Sequence, residues 1–229
     1  SSYLSSYPLI LRTTDDVMIQ GIEINAGDPK AIVFTNENII AIPWKEKYGT
    51  NVSLEFRSER DGKKDKSIQD TLYEVLMENS ELDYIIYDHS TGEIADFVTI
   101  ENKELEFEVT LYHVKAMSAK NYNSSLGDVY EVVGQSVKST IWLKTKQIFL
   151  KKIKERRKSG HCDFKKGKYE DFLQELKQQD KVLRGKVVAV QPSISKSKDM
   201  PSKLQEVLAA TSYYISNSGK VKSFEIWGS

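Results

Sequence analysis

Cysteine is almost missing from this chain: Cys162 is the single one in 229 residues. A lone thiol excludes an internal disulfide and fits a reducing, cytoplasmic setting. Together with His161 it falls short of the ligands a structural zinc site needs, and the two read as an ordinary exposed pair. Net charge is missing too, with 33 Lys and Arg against 33 Asp and Glu. No overall field therefore draws the chain to nucleic acid or to an acidic membrane, and any such attraction must come from local clustering. No apolar run approaches the about 20 residues of a membrane-spanning helix, so no membrane partner is expected. A secretory pattern, a phosphate-cradling glycine loop, a G-x-S-x-G turn and a reactive-cysteine signature are all absent.

What is present organises into two parts. Residues 7 to 57 show short β-type runs, "YPLILRTT", "VMIQGIEIN", "AIVFTN", "NIIAIPW" and "NVSLEFRS", separated by the turn signals "NAGDPK" and "TNEN". They predict a β-rich accessory region over residues 1–62, with nothing catalytic in it. A charged bridge, "ERDGKKDK", leads into a second region, 63–229. The opening "SSYLSSYP", without methionine, and the strand-like end "FEIWGS" fit a domain taken from a longer polypeptide, or a chain trimmed of a tag.

The second region begins with a helix. Ser67 is its candidate N-cap, and Ile68, Leu72, Val75 and Leu76 share one face. Three runs follow, "LDYIIYDHS", "GEIADFVTIE" and "ELEFEVTLYHVKA", whose Ser-Thr-Gly and Asn-Lys turns predict an antiparallel meander. "GDVYEVVGQSVKSTIWL" reads as a helix with Asp128 as candidate N-cap. "KYEDFLQELKQQ" and "PSKLQEVLAATSYYISN" are further helices. "KVVAVQPS" and "KVKSFEIWGS" are strands, the former stopped by Pro192. The order predicts an α/β fold with a mixed sheet flanked by helices.

Alternate residues of a strand share a face. Phe107, Val109, Leu111, His113 and Lys115 therefore line one side of the third meander strand, and Glu106, Glu108, Thr110, Tyr112 and Val114 the other. The first side is apolar until its end, where it presents an imidazole and an ammonium two residues apart. Asp96, in the neighbouring strand, reaches toward the same end. An acid, an imidazole and a lysine converging there suit a divalent metal and a phosphate. The plainer alternative makes Asp96 a hairpin cap, His113 a satisfied core histidine and Lys115 a snorkelling strand end.

With the pieces "ADFVTI", "LYHVK" and "YEVVGQSVKS" the order is helix, strand, strand with Asp, strand ending in x-x-Lys, helix with Gln. Over residues 67 to 143, with the strand at 186–191 as its continuation, this order resembles the core of the PD-(D/E)xK nuclease superfamily. With "VAVQPSISK" it also resembles prokaryotic defence-associated nuclease domains, often attached to helicase-like or other partner modules. The resemblance implies a restriction-endonuclease-like fold that hydrolyses phosphodiester bonds of DNA, or of RNA, with Mg²⁺ or Mn²⁺. Asp96 and the main-chain carbonyl of Val114 would hold the metal, with His113 at the third ligand position. Lys115 would orient or deprotonate the attacking water, and Gln135 would stand beside the metal.

The sequence departs from the family pattern at one place. His113 occupies the position where most members carry Asp or Glu. Imidazole is a softer ligand than carboxylate. Three outcomes stay open: a site preferring Mn²⁺, His113 acting as a base, or a silent site. Glu108 lies on the opposite face and replaces the missing acid only if a β-bulge intervenes. Gln69, on the flank of the first helix, is expected as a supporting group, with Glu74 and Glu93 as further candidates.

The segment from Lys144 to Lys158 holds eight basic residues and one acidic residue. Lys151, Lys152, Lys154, Arg156, Arg157 and Lys158, joined by Lys138 from the preceding helix, are candidate nucleic-acid contacts; a solvated helix end is the plain alternative. Two rival readings remain beside the nuclease: a silent nuclease-like module that binds nucleic acid, and a protein-interaction module.

Overall fold

The computed structural model describes residues 34–57, 65–178, 180–218 and 221–229, and the backbone of three short strands nearer the N-terminus. The chain divides into two compact units, Ser1–Val33 and Phe34–Ser229. In the first, β1 (Ile10–Arg12), β2 (Met18–Gln20) and β3 (Glu23–Asn25) form an antiparallel three-stranded sheet, with Ile10 opposite Gln20 and Met18 opposite Asn25. Beyond Asn25, the "NAGDPK" turn lies outside the described residues, as does most of the charged bridge.

The second unit is an α/β fold built on a seven-stranded mixed sheet. Its strands are β4 (Ile39–Ala41), β5 (Tyr84–Asp88), β6 (Phe97–Asn102), β7 (Glu106–Val114), β8 (Cys162–Lys166), β9 (Val182–Val190) and β10 (Val221–Gly228). They lie in the order β4-β10-β9-β7-β6-β5-β8. The meander β5-β6-β7 is antiparallel as expected, and β7, β9, β10 and β4 then run parallel. Among the described residues five helices accompany the sheet: α1 (Ile68–Glu78), α2 (Leu126–Ser139), α3 (Lys146–Lys158), α4 (Tyr169–Leu176) and α5 (Ser202–Ser216). None is long and apolar enough to cross a membrane.

Local chemistry accounts for the elements that carry the site. Ser67 caps α1 by accepting from Asp70 N at 3.1 Å, and the Asp70 carboxylate accepts from Ser67 N at 3.0 Å. This reciprocal pair satisfies donors that a helix start leaves open. Ile68, Leu72 and Leu76 bury one stripe of α1 against Ile85, Phe97 and Val114. On the other face of the sheet Phe107, Val109 and Leu111 pack with Val129, Val132 and Val133 of α2 and Leu204 and Leu208 of α5. β9 is buried over Val187–Val190, the continuous apolar run that a central parallel strand requires.

The compact units divide after Val33, and β4 pairs with β10 in the large sheet. Three expectations are corrected. "NVSLEFRS" alternates like a strand, yet residues 51–57 are turns. Their carbonyls receive the first amides of α1, Ile68 N to Leu54 O at 2.9 Å and Gln69 N to Glu55 O at 3.2 Å. Ser125, not Asp128, caps α2, while Asp128 accepts from Ser118 N at 2.9 Å. Cys162 is fully buried on β8, which extends the sheet beyond β5, and burial pushes its thiol up to about 12.

Candidate functional site

The antiparallel register sets Phe97 opposite Tyr112. Asp96, one residue before β6, therefore arrives where β7 delivers His113, Val114 and Lys115. Neither β7 pairing shifts register, so no bulge turns Glu108 toward this end. Glu108 stays on the other face, bonded to Lys186 at 2.6 Å, Lys103 at 3.0 Å and Lys222 at 3.3 Å.

Asp96 is buried and tightly held. Its Oδ1 accepts from Gln69 Nε2 at 2.7 Å and its Oδ2 from Val114 N at 2.8 Å. Tyr87 Oη in turn donates to Gln69 Oε1 at 3.1 Å. Gln69 thus reaches Asp96 because the first turn of α1 overhangs the start of β6. Burial pushes the Asp96 carboxyl well above its ordinary range, the charge of Glu93 adds to this, Val114 N–H works against it, and Glu55 pushes it higher.

Lys115 is partly exposed and closed between two acids. Its Nζ lies 2.7 Å from Glu131 Oε1 and 3.3 Å from Glu55 Oε2, while Ala116 N donates to the same Glu55 oxygen at 3.2 Å. Burial pulls its pKa down, but Glu131 and Glu55 outweigh that and leave it raised. Lys115 is therefore a fixed positive charge in this arrangement and no proton acceptor. The turn at residues 51–57 brings Glu55 here, and no sequence signal marks it, since its segment alternates like a strand.

His113 is the anomaly of the site. It is 2% exposed on the face of β7 that meets α2, and among the described residues neither ring nitrogen has a partner. Burial alone lowers its pKa to about 3, so the imidazole is neutral at physiological pH and a poor general base. Gln135 Oε1, also buried and without a partner among the described residues, belongs to the same cavity of about 310 Å³. The helical wheel aims Gln135 away from the sheet; in the structure it joins His113, Glu93, Lys138, Trp142 and Lys152 around that cavity.

The other expected residues separate. Glu74 is exposed on α1, paired with Lys66 and away from the site. Arg156 is no surface cation: its Nε donates to the buried Asp88 Oδ1 at 2.7 Å, its NH1 to Thr91 O at 2.9 Å and its NH2 to Ser90 O at 3.1 Å. Asp88 also accepts from Ile94 N at 2.7 Å, so this pair fixes the loop that leads to Asp96. Arg157 donates to Cys162 O at 3.0 Å. Lys151, Lys154 and Lys158 are exposed on α3, whereas Lys152 turns to the cavity, its Nζ 4.6 Å over the Trp142 ring.

Among the described residues no three His, Cys, Asp or Glu side chains form a group ready to hold a metal ion. Mg²⁺ asks for less than a protein cage: one or two carboxylates, water and substrate phosphate suffice. Asp96, with its charge resisted by Glu93 and Glu55, is a carboxylate that a nearby cation would keep ionised. His113 fits a cation poorly, because its cavity is lined by two lysines. No family model, curated protein or solved structure matches this chain.

Proposed function

We propose that this chain is a metal-dependent nuclease of the PD-(D/E)xK kind, cutting DNA or RNA at the pole where β6 begins and β7 ends. The observation that carries the reading is Asp96: a buried acid, held on both oxygens, one strand away from a lysine that remains charged. Support also comes from the order α1-β5-β6-β7-α2 followed by β9 alongside β7, and from the Asp96 carboxylate, which accepts from the amide of Val114, the residue before Lys115, at 2.8 Å. The place within a prokaryotic defence protein, beside a helicase-like or other module, rests on the sequence resemblance alone.

In this reading Asp96 would hold Mg²⁺ or Mn²⁺. Such a metal supplies an activated water and a Lewis acid for the scissile phosphate. Gln69 and the Val114 amide fix the Asp96 carboxylate so that it needs no rearrangement. Lys115 offsets phosphate charge once the substrate displaces Glu55 and Glu131 from it. His113 contributes neither base nor metal ligand. A silent, binding-only module is the second reading, favoured by the ion pairs that close Lys115.

The test incubates the protein with plasmid and single-stranded substrates in Mg²⁺, Mn²⁺ or EDTA. Cleavage that needs metal and vanishes in Asp96→Ala and Lys115→Ala is expected. Cleavage indifferent to EDTA or to both substitutions refutes the mechanism, and binding without cleavage in any metal selects the silent reading.

A further inference from the structure

The strands β7, β9, β10 and β4 run parallel and end flush: Val114 lies opposite Val190, Val190 opposite Trp227 and Trp227 opposite Ile40. Lys115 follows Val114 and so stands at one end of this edge. The chain leaving β4 passes to α1, on the face of Ile85 and Phe97, and the chain leaving β9 passes to α5, on the face of Phe107 and Val109. Loops that part to opposite faces open a crevice at the carboxyl ends of the strands, where open α/β sheets take their ligands. A cleft of about 340 Å³ lies there at the end of β10, lined by Lys45 and Glu46 after β4, Ser197 and Lys198 after β9, and the exposed Tyr122. The loop after β9 is built rather than slack. Asn123, itself buried, donates through Nδ2 to Lys198 O at 3.2 Å and Asp199 O at 3.0 Å, and its Oδ1 accepts from Ser195 N at 2.8 Å. Asn36 Nδ2 donates to Lys196 O at 2.9 Å and to Lys198 O at 3.0 Å, and Ser229 O accepts from Lys196 N at 2.7 Å. With these carbonyls turned inward, the loop shows solvent the side chains of Lys196, Ser197 and Lys198.

We propose that this edge seats the phosphodiester backbone of one nucleic-acid strand, running from Lys115 past the ends of β9 and β10 to Lys196 and Lys198, with one base against the ring of Tyr122. Charge favours it. Among the described residues Lys45, Lys196 and Lys198 are ion-paired with no carboxylate, neither the cleft's Glu46 nor the loop's Asp199. By contrast Lys103, Lys186 and Lys222, on the face of Glu108, are all paired. Reach suits it as well. Neighbouring strands lie about 4.8 Å apart, so β10 and β4 stand about 10 and 14 Å from β7, or three to four stacked nucleotides at about 3.4 Å each. A loop already fixed in place loses little freedom when the strand arrives. An exposed aromatic ring beside cations is the usual platform for an unpaired base.

This inference takes its substrate class from the nuclease reading, but its test runs in EDTA and needs no cleavage. Fluorescence anisotropy with the full chain follows labelled oligo-dT, long enough to span the edge, over a series of salt concentrations, with oligo-rU as the RNA arm. Each phosphate contact on a single strand adds about 0.7 to the slope of log affinity against log salt. The double variant Lys196→Gln, Lys198→Gln changes only exposed side chains and should lower that slope by about 1.4 in both arms. Tyr122→Ala should weaken binding about tenfold with the slope unchanged, and Tyr122→Phe, which keeps the ring, should bind as the wild type does. Lys151→Gln, Lys154→Gln and Lys158→Gln together, on α3, should leave the slope as it is. An unchanged slope in the loop variant overturns the proposal, and so do unchanged affinity in Tyr122→Ala, a slope carried by α3 instead, or a wild type that binds no strand. Loop-dependent binding by a protein that never cleaves would keep this path and remove the nuclease reading. Cleavage with a slope indifferent to the loop would do the reverse.

Discussion

The two ends of β7 carry polar groups under opposite regimes. Near its start, Glu108 is 3% exposed and ion-paired with Lys186, Lys103 and Lys222. Although burial pushes its pKa up, the lysines hold it at about 2. Near its finish, His113 is equally buried and has no partner among the described residues, while burial and the charges of Glu93 and Glu55 push the neighbouring Asp96 carboxyl up. The first end behaves as structure, each charge answered within the fold. The second holds Asp96 through Gln69 and the Val114 amide but leaves the His113 ring without a partner among the described residues, which costs stability.

The sharpest way to break this contrast is at the other ion-paired knot. Arg156→Ala strands a buried Asp88 and releases the loop before Asp96, so denaturant unfolding should show a loss of about 3–5 kcal/mol. A loss below about 1 kcal/mol would mean that the Asp88–Arg156 pair is a surface ornament.

Next in size is Glu108. Its folded pKa lies below the ordinary 4.5, so folding favours the ionised form. Its contribution is complete above pH 4.5 and disappears as the pH falls toward 2. The contribution should be about 2 kcal/mol, since its lysine partners are partly exposed to solvent. Unfolding free energies measured down that range should fall for the wild type and fall less for Glu108→Gln.

The unsatisfied end should respond with the opposite sign. His113→Leu replaces an unpartnered ring by an apolar side chain of similar bulk, and thermal unfolding should show a gain of about 1 kcal/mol. Destabilisation beyond about 1 kcal/mol would place His113 with the structural groups. Smallest of all, Glu131→Gln removes one exposed partner of Lys115. Stability should move by less than about 0.5 kcal/mol, while affinity for an oligonucleotide in EDTA should rise as the lysine is freed.

The alternation of β7 and the caps and turns around it made the meander and the facing of His113 and Lys115 legible in the sequence. Pairing of β6 with β7 then follows, and with it the approach of Asp96. Gln69 was legible as well, because one helical wheel suffices when the helix start overhangs the strand. Other contacts join segments that no periodicity links. Glu55 reaches Lys115 from a turn whose pattern imitates a strand. Arg156 sits in a run of cations and is distinguished only by a carboxylate 68 residues away in the chain. Gln135 looks outward on an isolated wheel, yet in the fold it borders a cavity with His113, Trp142 and Lys152. Charge runs and wheels report what one segment offers, not what meets it.

The most direct measurement is the rate of cleavage of a single-stranded substrate in Mn²⁺ by Asp96→Ala and by Glu108→Gln, side by side with the wild type at one temperature. The account predicts a loss of at least about 10³-fold for Asp96→Ala and a rate close to wild type for Glu108→Gln. An active Asp96→Ala, or a loss of equal depth in both variants, would contradict it.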